Sequence, residues 1–189
     1  MDVKKKIIEK SIELFEMKGF SETSIQDVVE ALGVTKGTFY YYFDSKEQLL
    51  MNIHRMYIDE LLNLQKQIIE NRGMNQKTKL FETVKLLITQ IKVTGRSARV
   101  FFREMMHLKP ESAGIIKQKR KKFRLNIQTI IESGIKNGEF KPNLQADLVT
   151  FAVLGMCNWS YNWFDPEGPV ADEELVKAYI DTLLNGIAN

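Results

Sequence analysis

The stretch Ser24-Ile25-Gln26-Asp27-Val28-Val29-Glu30-Ala31-Leu32-Gly33-Val34-Thr35-Lys36-Gly37-Thr38-Phe39-Tyr40-Tyr41-Tyr42-Phe43 spells two short helices joined by one tight turn. Ile25, Val28, Val29 and Leu32 recur at three- and four-residue intervals and so share one helix face. Thr23, with Gln26 three residues on, is expected to cap the start of that helix. Gly33 ends it, because glycine takes the left-handed helix-end conformation without a Cβ penalty. Val34 plugs the turn, and Thr35 caps a second helix that runs through Tyr42. Phe39 and Phe43, four residues apart, face a core, which turns Tyr40 and Tyr41 outward. A recognition helix needs short or hydrogen-bonding groups in its first turn, where it meets base edges and phosphates. Lys36 can reach a guanine edge, Gly37 lets the backbone approach, and Thr38 can bond a base or touch a thymine methyl.

Outward from this pair, Ile8, Ile12 and Phe15 form the stripe of a preceding helix from about Val3 to Met17, closed by Lys18-Gly19-Phe20. Ser45 and Gln48 read as another capping box, opening a long fourth helix to about Asn71. Further helices are expected from Asn75 to Val93, ended by Thr94-Gly95, and from Ser97 to His107. Three more follow: Pro110 to Asn137, Asn143 to Phe164, and Asp172 to Ile187. Period-2 alternation is hard to find, and the 11 glycines and 4 prolines are few, so the fold class is all-α. The chain is expected to divide into a three-helix head with the helix-turn-helix, residues 1–50, and a larger helical body, residues 51–189.

The 189 residues are 44% hydrophobic and 27% charged, which excludes wholesale disorder. One cysteine, Cys157, excludes a disulfide framework and a zinc finger. No stretch has the roughly 20 apolar residues of a membrane span, and the start Met1-Asp2-Val3-Lys4-Lys5-Lys6 lacks the apolar core of a signal peptide, so a cytoplasmic location is expected. Residues 1–50 hold seven lysines against nine acids, a net charge of −2, whereas residues 96–124 hold ten basic groups against two acids. Nucleic-acid binding by the head must therefore rest on local geometry. Among possible chemistries, there is no Gly-rich phosphate loop, no metal-ligand set and no nucleophile with an evident base. His54 and His107, the two histidines, lack the neighbours for a metal site, and His54 is expected on a helix surface or at an inter-domain contact. No enzyme activity, metal or cofactor is expected.

The string Gly33-Val34-Thr35-Lys36-Gly37-Thr38-Phe39-Tyr40-Tyr41-Tyr42-Phe43-x-Ser45-Lys46-Glu47-x-Leu49-Leu50 resembles the DNA-binding head of the TetR family of transcriptional regulators. The resemblance begins at Ile8, Leu14, Phe15, Gly19 and Phe20 and covers about fifty residues. It implies phosphate contacts from Thr23, Ser24, Thr35, Tyr42 and Lys46, and base reading by Lys36, Gly37, Thr38, Tyr40 and Tyr41. Tyr42 departs from the histidine common at that place, and a phenol still donates to phosphate. The resemblance also implies a homodimer on a near-palindromic double-stranded operator, acting as a repressor and released by a small-molecule effector. Phosphates are then met by helix N-termini, Lys36, Lys46 and the Lys4-Lys5-Lys6 arm, so no broadly basic head is needed.

Residues 148–164 are apolar nearly all round, so that helix must be covered on every face, one side by its own chain and the other by a second copy. With it, the final stripe Val176, Ile180, Leu183, Leu184 and Ile187 is expected to form a dimer interface. Phe81, Phe101, Phe102, Met105, Met106, His107, Phe123, Met156, Trp159 and Trp163 are candidates to line an effector pocket. Gly155-x-x-Asn158-Trp159-x-x-x-Trp163-Phe164-x-Pro166-x-Gly168-Pro169, followed by Glu173-Glu174, is similar to a subset of the family that responds to acyl-CoA thioesters. An acyl chain wants an apolar tunnel and coenzyme A wants cations, of which Lys117 to Arg124 hold six in eight residues. Two alternatives stand beside this reading. One is a lipophilic or cationic drug as effector, as in efflux regulators; the other is a helical small-molecule-binding protein or enzyme whose head contacts protein.

Overall fold

The computed structural model describes residues 2–187, with side chains through Gly186. The order of elements is α1 (Val3–Lys18), α2 (Ile25–Leu32), α3 (Lys36–Tyr42), α4 (Lys46–Glu70), α5 (Gln76–Arg103), a 3₁₀ turn (Glu104–His107), α6 (Pro110–Lys136), α7 (Ala146–Ser160) and α8 (Asp172–Ile187). No β-strand occurs among the described residues, and the all-α expectation holds. Two compact units result: one takes the chain up to Asp59 together with Arg96–Gln118, the other Glu60–Gly95 together with Lys119 onward.

In the first unit, α1 buries Ile7, Ile8, Ser11 and Phe15, while Ile12 is only half-buried. Gly19 ends α1 at φ +88°, a region costly for any residue with a Cβ. The cap of α2 is Ser24, not Thr23. Its hydroxyl accepts from Asp27 N at 3.1 Å, and Asp27 Oδ2 accepts from Ser24 N at 2.7 Å, a reciprocal pair. Thr23 instead turns inward and donates to the Gly19 carbonyl at 2.8 Å. Gly33 closes α2 in the left-handed region, and Thr35 Oγ1 accepts from Thr38 N at 3.2 Å to open α3. Ser45 opens α4 by accepting from Gln48 N at 3.0 Å, but the Gln48 side chain reaches back to Asp44 N at 2.6 Å rather than to Ser45. Val28, Val29, Phe39, Phe43, Leu49, Leu50 and Ile53 form the core beneath α2 and α3.

The expected break at Thr94-Gly95 is a kink inside one helix. Thr94 has φ −129° and ψ 19°, and its hydroxyl donates to the Gln90 carbonyl at 3.0 Å. Two other boundaries moved. α7 begins at Ala146 rather than after Asn143, with Gln145 giving no side-chain cap, and ends at Ser160 rather than Phe164.

In the second unit, the Phe140 ring sits so close to α6 that a Cβ on Gly134 would lie 2.3 Å from it. Gln65 donates to the Phe123 carbonyl at 3.1 Å and accepts from Asn126 at 2.7 Å, which satisfies a polar group buried between α4 and α6. On α8, Val176, Ile180 and Leu183 are buried within the single chain and Leu184 is half-buried. The Ile187 side chain lies outside the described residues. On α7 and the turn after it, Leu148, Phe151, Trp159 and Trp163 are all more than half exposed.

Candidate functional site

Helix α3 is anchored from below and open above. Phe39 and Phe43 are buried with ring centroids 5.8 Å apart, which fixes the rotation of the helix about its axis. That rotation leaves Tyr40 51% and Tyr41 81% exposed, with Lys36, Gly37 and Thr35 on the surface and Thr38 half-buried. The Lys36 ammonium and the Tyr40 and Tyr41 hydroxyls have no partner among the described residues. Thr38 Oγ1 lies 3.1 Å from Thr35 Oγ1, a contact that steadies both hydroxyls at the entry to α3. Tyr42 is half-buried and packs edge-on against Tyr41 at 4.9 Å. Ser24 is exposed, and its hydroxyl is engaged with Asp27.

Thr23 and Lys46 both turn into the first unit. Thr23 is fully buried. The Lys46 ammonium donates to the carbonyls of Phe20 and Thr23, each at 2.7 Å, and lies 4.3 Å from the Phe20 ring centroid. Lys46 thus staples the start of α4 to the connection between α1 and α2. Burial depresses its pKa, with Glu22 and Asp27 opposing. The side chains of both residues are committed inward within the single chain. Ser24 shapes its neighbour in turn: its backbone N–H and hydroxyl hold the Asp27 carboxyl below the usual carboxylate range.

A charged network in the same unit was not legible as such. Arg99 pairs with Glu16 at 2.5 Å and Arg96 pairs with it at 3.3 Å. Arg103 donates through Nη2 to the carbonyls of Phe15 and Glu16, and through Nε to the buried Glu104 at 2.6 Å. Three arginines from the end of α5 therefore grip the C-terminal end of α1. The basic run was visible, but Glu16 is 83 residues from Arg99, and no local spacing pairs them. His107, a pocket candidate, stacks on Phe20 at 5.2 Å and approaches Glu104 at 3.4 Å. His54 is fully buried against Phe101 at 5.2 Å, not on a helix surface.

The remaining pocket candidates divide. Phe102, Met105 and Met106 line one groove in the first unit. In the second unit Phe123 is buried, and Phe81 and Met156 are half-buried. Trp159 and Trp163 lie on the outer surface, 67% and 51% exposed. Phe151, beside them on the same face, carries the Arg124 guanidinium 5.2 Å from its ring centroid. Among the described residues no helix is long and apolar enough to cross a membrane, and no group of three or more His, Cys, Asp or Glu is placed to hold a metal ion.

A helix-turn-helix head carried on a helical body defines the class, a DNA-binding transcription regulator. Residues 7–53 match the family of bacterial regulatory proteins called the tetR family, and residues 73–187 match the tetracyclin repressor-like C-terminal domain. The chain belongs to the tetR family. The HTH-type transcriptional repressor KstR2 of Rhodococcus jostii (strain RHA1) is 26% identical over 178 residues, covering 93% of this chain and 86% of the relative. The structure of the ketosteroid transcriptional regulator KstR2 of Mycobacterium tuberculosis superposes with a TM-score of 0.91 at 23% identity, covering 100% of this chain and 96% of that one. The structure of AibR in complex with isovaleryl coenzyme A and operator DNA superposes with a TM-score of 0.86 at 22% identity, covering 96% and 97%. At these identities the two structures speak to the fold.

Proposed function

We propose that the protein is a repressor that binds a near-palindromic operator as a homodimer and is released by a small lipophilic effector. The observation that carries this reading is the surface of α3, where the Lys36 ammonium and the Tyr40 and Tyr41 hydroxyls have no hydrogen-bond partner among the described residues, above the buried pair Phe39 and Phe43. A helix fixed from beneath and open along one face suits the major groove. Lys36, Gly37, Thr38, Tyr40 and Tyr41 are the base-reading residues; Thr35, Ser24 and Tyr42 meet phosphate. A gel shift with the DNA upstream of the protein's own gene tests it: the wild type is expected to shift that fragment, and Tyr41→Ala to shift it about tenfold less well. No shift by the wild type at low salt would overturn the reading.

The second copy docks on α7. Leu148, Phe151 and Trp159 recur on one face with Ala152 and Gly155, and a Cβ on Gly155 would meet open space within its own chain. Nothing in the single chain asks for a glycine in mid-helix, whereas a helix crossing closely at that point does. Trp159→Glu is expected to give a monomer in sedimentation and to abolish the gel shift. The effector is an acyl-CoA thioester. This rests on the six basic residues between Lys117 and Arg124, on the isovaleryl coenzyme A named with AibR, and on the apolar side chains nearby in sequence.

A further inference from the structure

Between the end of α5, the 3₁₀ turn and the start of α6 lies an open groove of about 540 Å³. Its walls are Phe102, Met105, Met106, Leu108 and Ala113, together with two cations, Arg103 and Lys117, and no carboxylate lines it. Lys117 is exposed and has no ion-pair partner among the described residues. Arg103 is half exposed, and its Nε and Nη2 donors are used on Glu104, Phe15 and Glu16. The two N–H groups of Nη1 make no hydrogen bond among the described residues. A guanidinium carries five donors, so two remain to meet an incoming anion. Apolar walls beside two underused cations fit one chemistry: an aliphatic chain ending in an anionic group.

The same arginine holds the end of α1. Its Nη2 donors cap the carbonyls of Phe15 and Glu16, whose chain leads through Gly19 and Phe20 into the helix-turn-helix. An anion offers the guanidinium a full opposite charge where the carbonyls offer only a dipole, so an anion met first through Nη1 can pull the side chain off them. We propose that this groove binds an amphiphilic anion whose headgroup draws Arg103 away from the C-terminal carbonyls of α1. The groove is thereby a site from which occupancy is transmitted to the DNA-binding head within one compact unit. This rests on the operator-binding reading above, and it adds where the effector's charge sits and which residue reports it.

The test uses the full-length protein with decanoate, decanoyl-CoA and uncharged decanol, each followed by isothermal titration and by operator-binding anisotropy. At least one of the two anions is expected to bind and to weaken operator binding about tenfold, while decanol does neither. Lys117→Gln and Ala113→Trp, the one removing a charge and the other filling the groove, are each expected to weaken anion binding about tenfold or more. Decanoate binding assigns the headgroup to a carboxylate, and binding of decanoyl-CoA alone assigns it to the phosphates of coenzyme A. Absence of binding by either anion, equal binding of decanol, or undiminished binding in both variants overturns the groove. Binding without an effect on operator affinity overturns the role of Arg103. Failure of the ligand-free protein to bind DNA overturns the operator reading instead, and the titration still reports on the groove.

Discussion

Gly37 occupies the second position of a seven-residue helix, where glycine is a poor choice for stability. Its φ is not positive, and a Cβ built there would lie 3.5 Å from Thr35 Oγ1, an ordinary contact. The head therefore has room for alanine. Glycine in a helix costs about 0.5–1 kcal/mol relative to alanine, so Gly37→Ala is expected to stabilise the protein by up to that amount. For a chain of this size that raises the melting temperature by about 1–4 °C. Operator binding is expected to move the other way. If α3 enters the major groove as proposed, the added methyl meets the duplex, and displacing the first turn forfeits the equivalent of a good base contact, about 1–3 kcal/mol, or roughly tenfold or more in affinity. Thermal melting and fluorescence anisotropy at one fixed salt concentration read the two effects separately. A variant that melts higher and binds the operator as tightly as the wild type would refute the reasoning, because Gly37 would then have no reason to be glycine.

Three further outcomes follow from particular contacts. Lys46→Met removes the donor shared by the Phe20 and Thr23 carbonyls and is expected to cost about 1 kcal/mol of stability. It should leave the salt dependence of operator binding unchanged, whereas Lys36→Ala lowers that slope by about one; a reduced slope in Lys46→Met would return that lysine to the phosphate backbone. Gly134→Ala drives a methyl to 2.3 Å from the Phe140 ring and is expected to destabilise by about 1–3 kcal/mol, read as a lower melting temperature. For Asp27, whose folded-state pKa is depressed by Ser24, the contribution is present above the usual carboxylate range and is lost as pH falls through the lower folded-state value. Asp27→Asn should therefore flatten the acid limb of a plot of melting temperature against pH, and an unaltered limb would show that the capping box is not titrating there.

The parts of the molecule legible in the sequence are those governed by neighbours three or four residues apart. The turn at Gly33, the Thr35 cap and the burial of Phe39 and Phe43 are local consequences of helix geometry, and each stands where it was expected. The kink at Thr94 was legible as a break but not as one continuous helix, since a threonine hydroxyl bonding back one turn bends a helix without ending it. Thr23 and Ser24 compete for one cap, and both are good capping residues. The choice falls to Ser24 because the Thr23 hydroxyl finds the Gly19 carbonyl, a contact of the folded α1–α2 connection. Contacts between distant segments left no periodic trace: Arg99 with Glu16, Lys46 with Phe20, His54 with Phe101. The α8 stripe shows why an apolar face alone does not name its partner. Val176, Ile180 and Leu183 are buried within the single chain, while Leu148, Phe151 and Trp159 of α7, whose apolar residues run all round, stand exposed.

The central claim is that two copies of α3 enter successive major grooves of one operator. Methylation of guanine N7, which projects into the major groove, reads this directly. Interference mapping on the bound upstream fragment is expected to give two symmetric clusters of inhibitory guanines about 10 base pairs apart centre to centre. Binding that is indifferent to N7 methylation, or blocked by a single unpaired cluster, would contradict it.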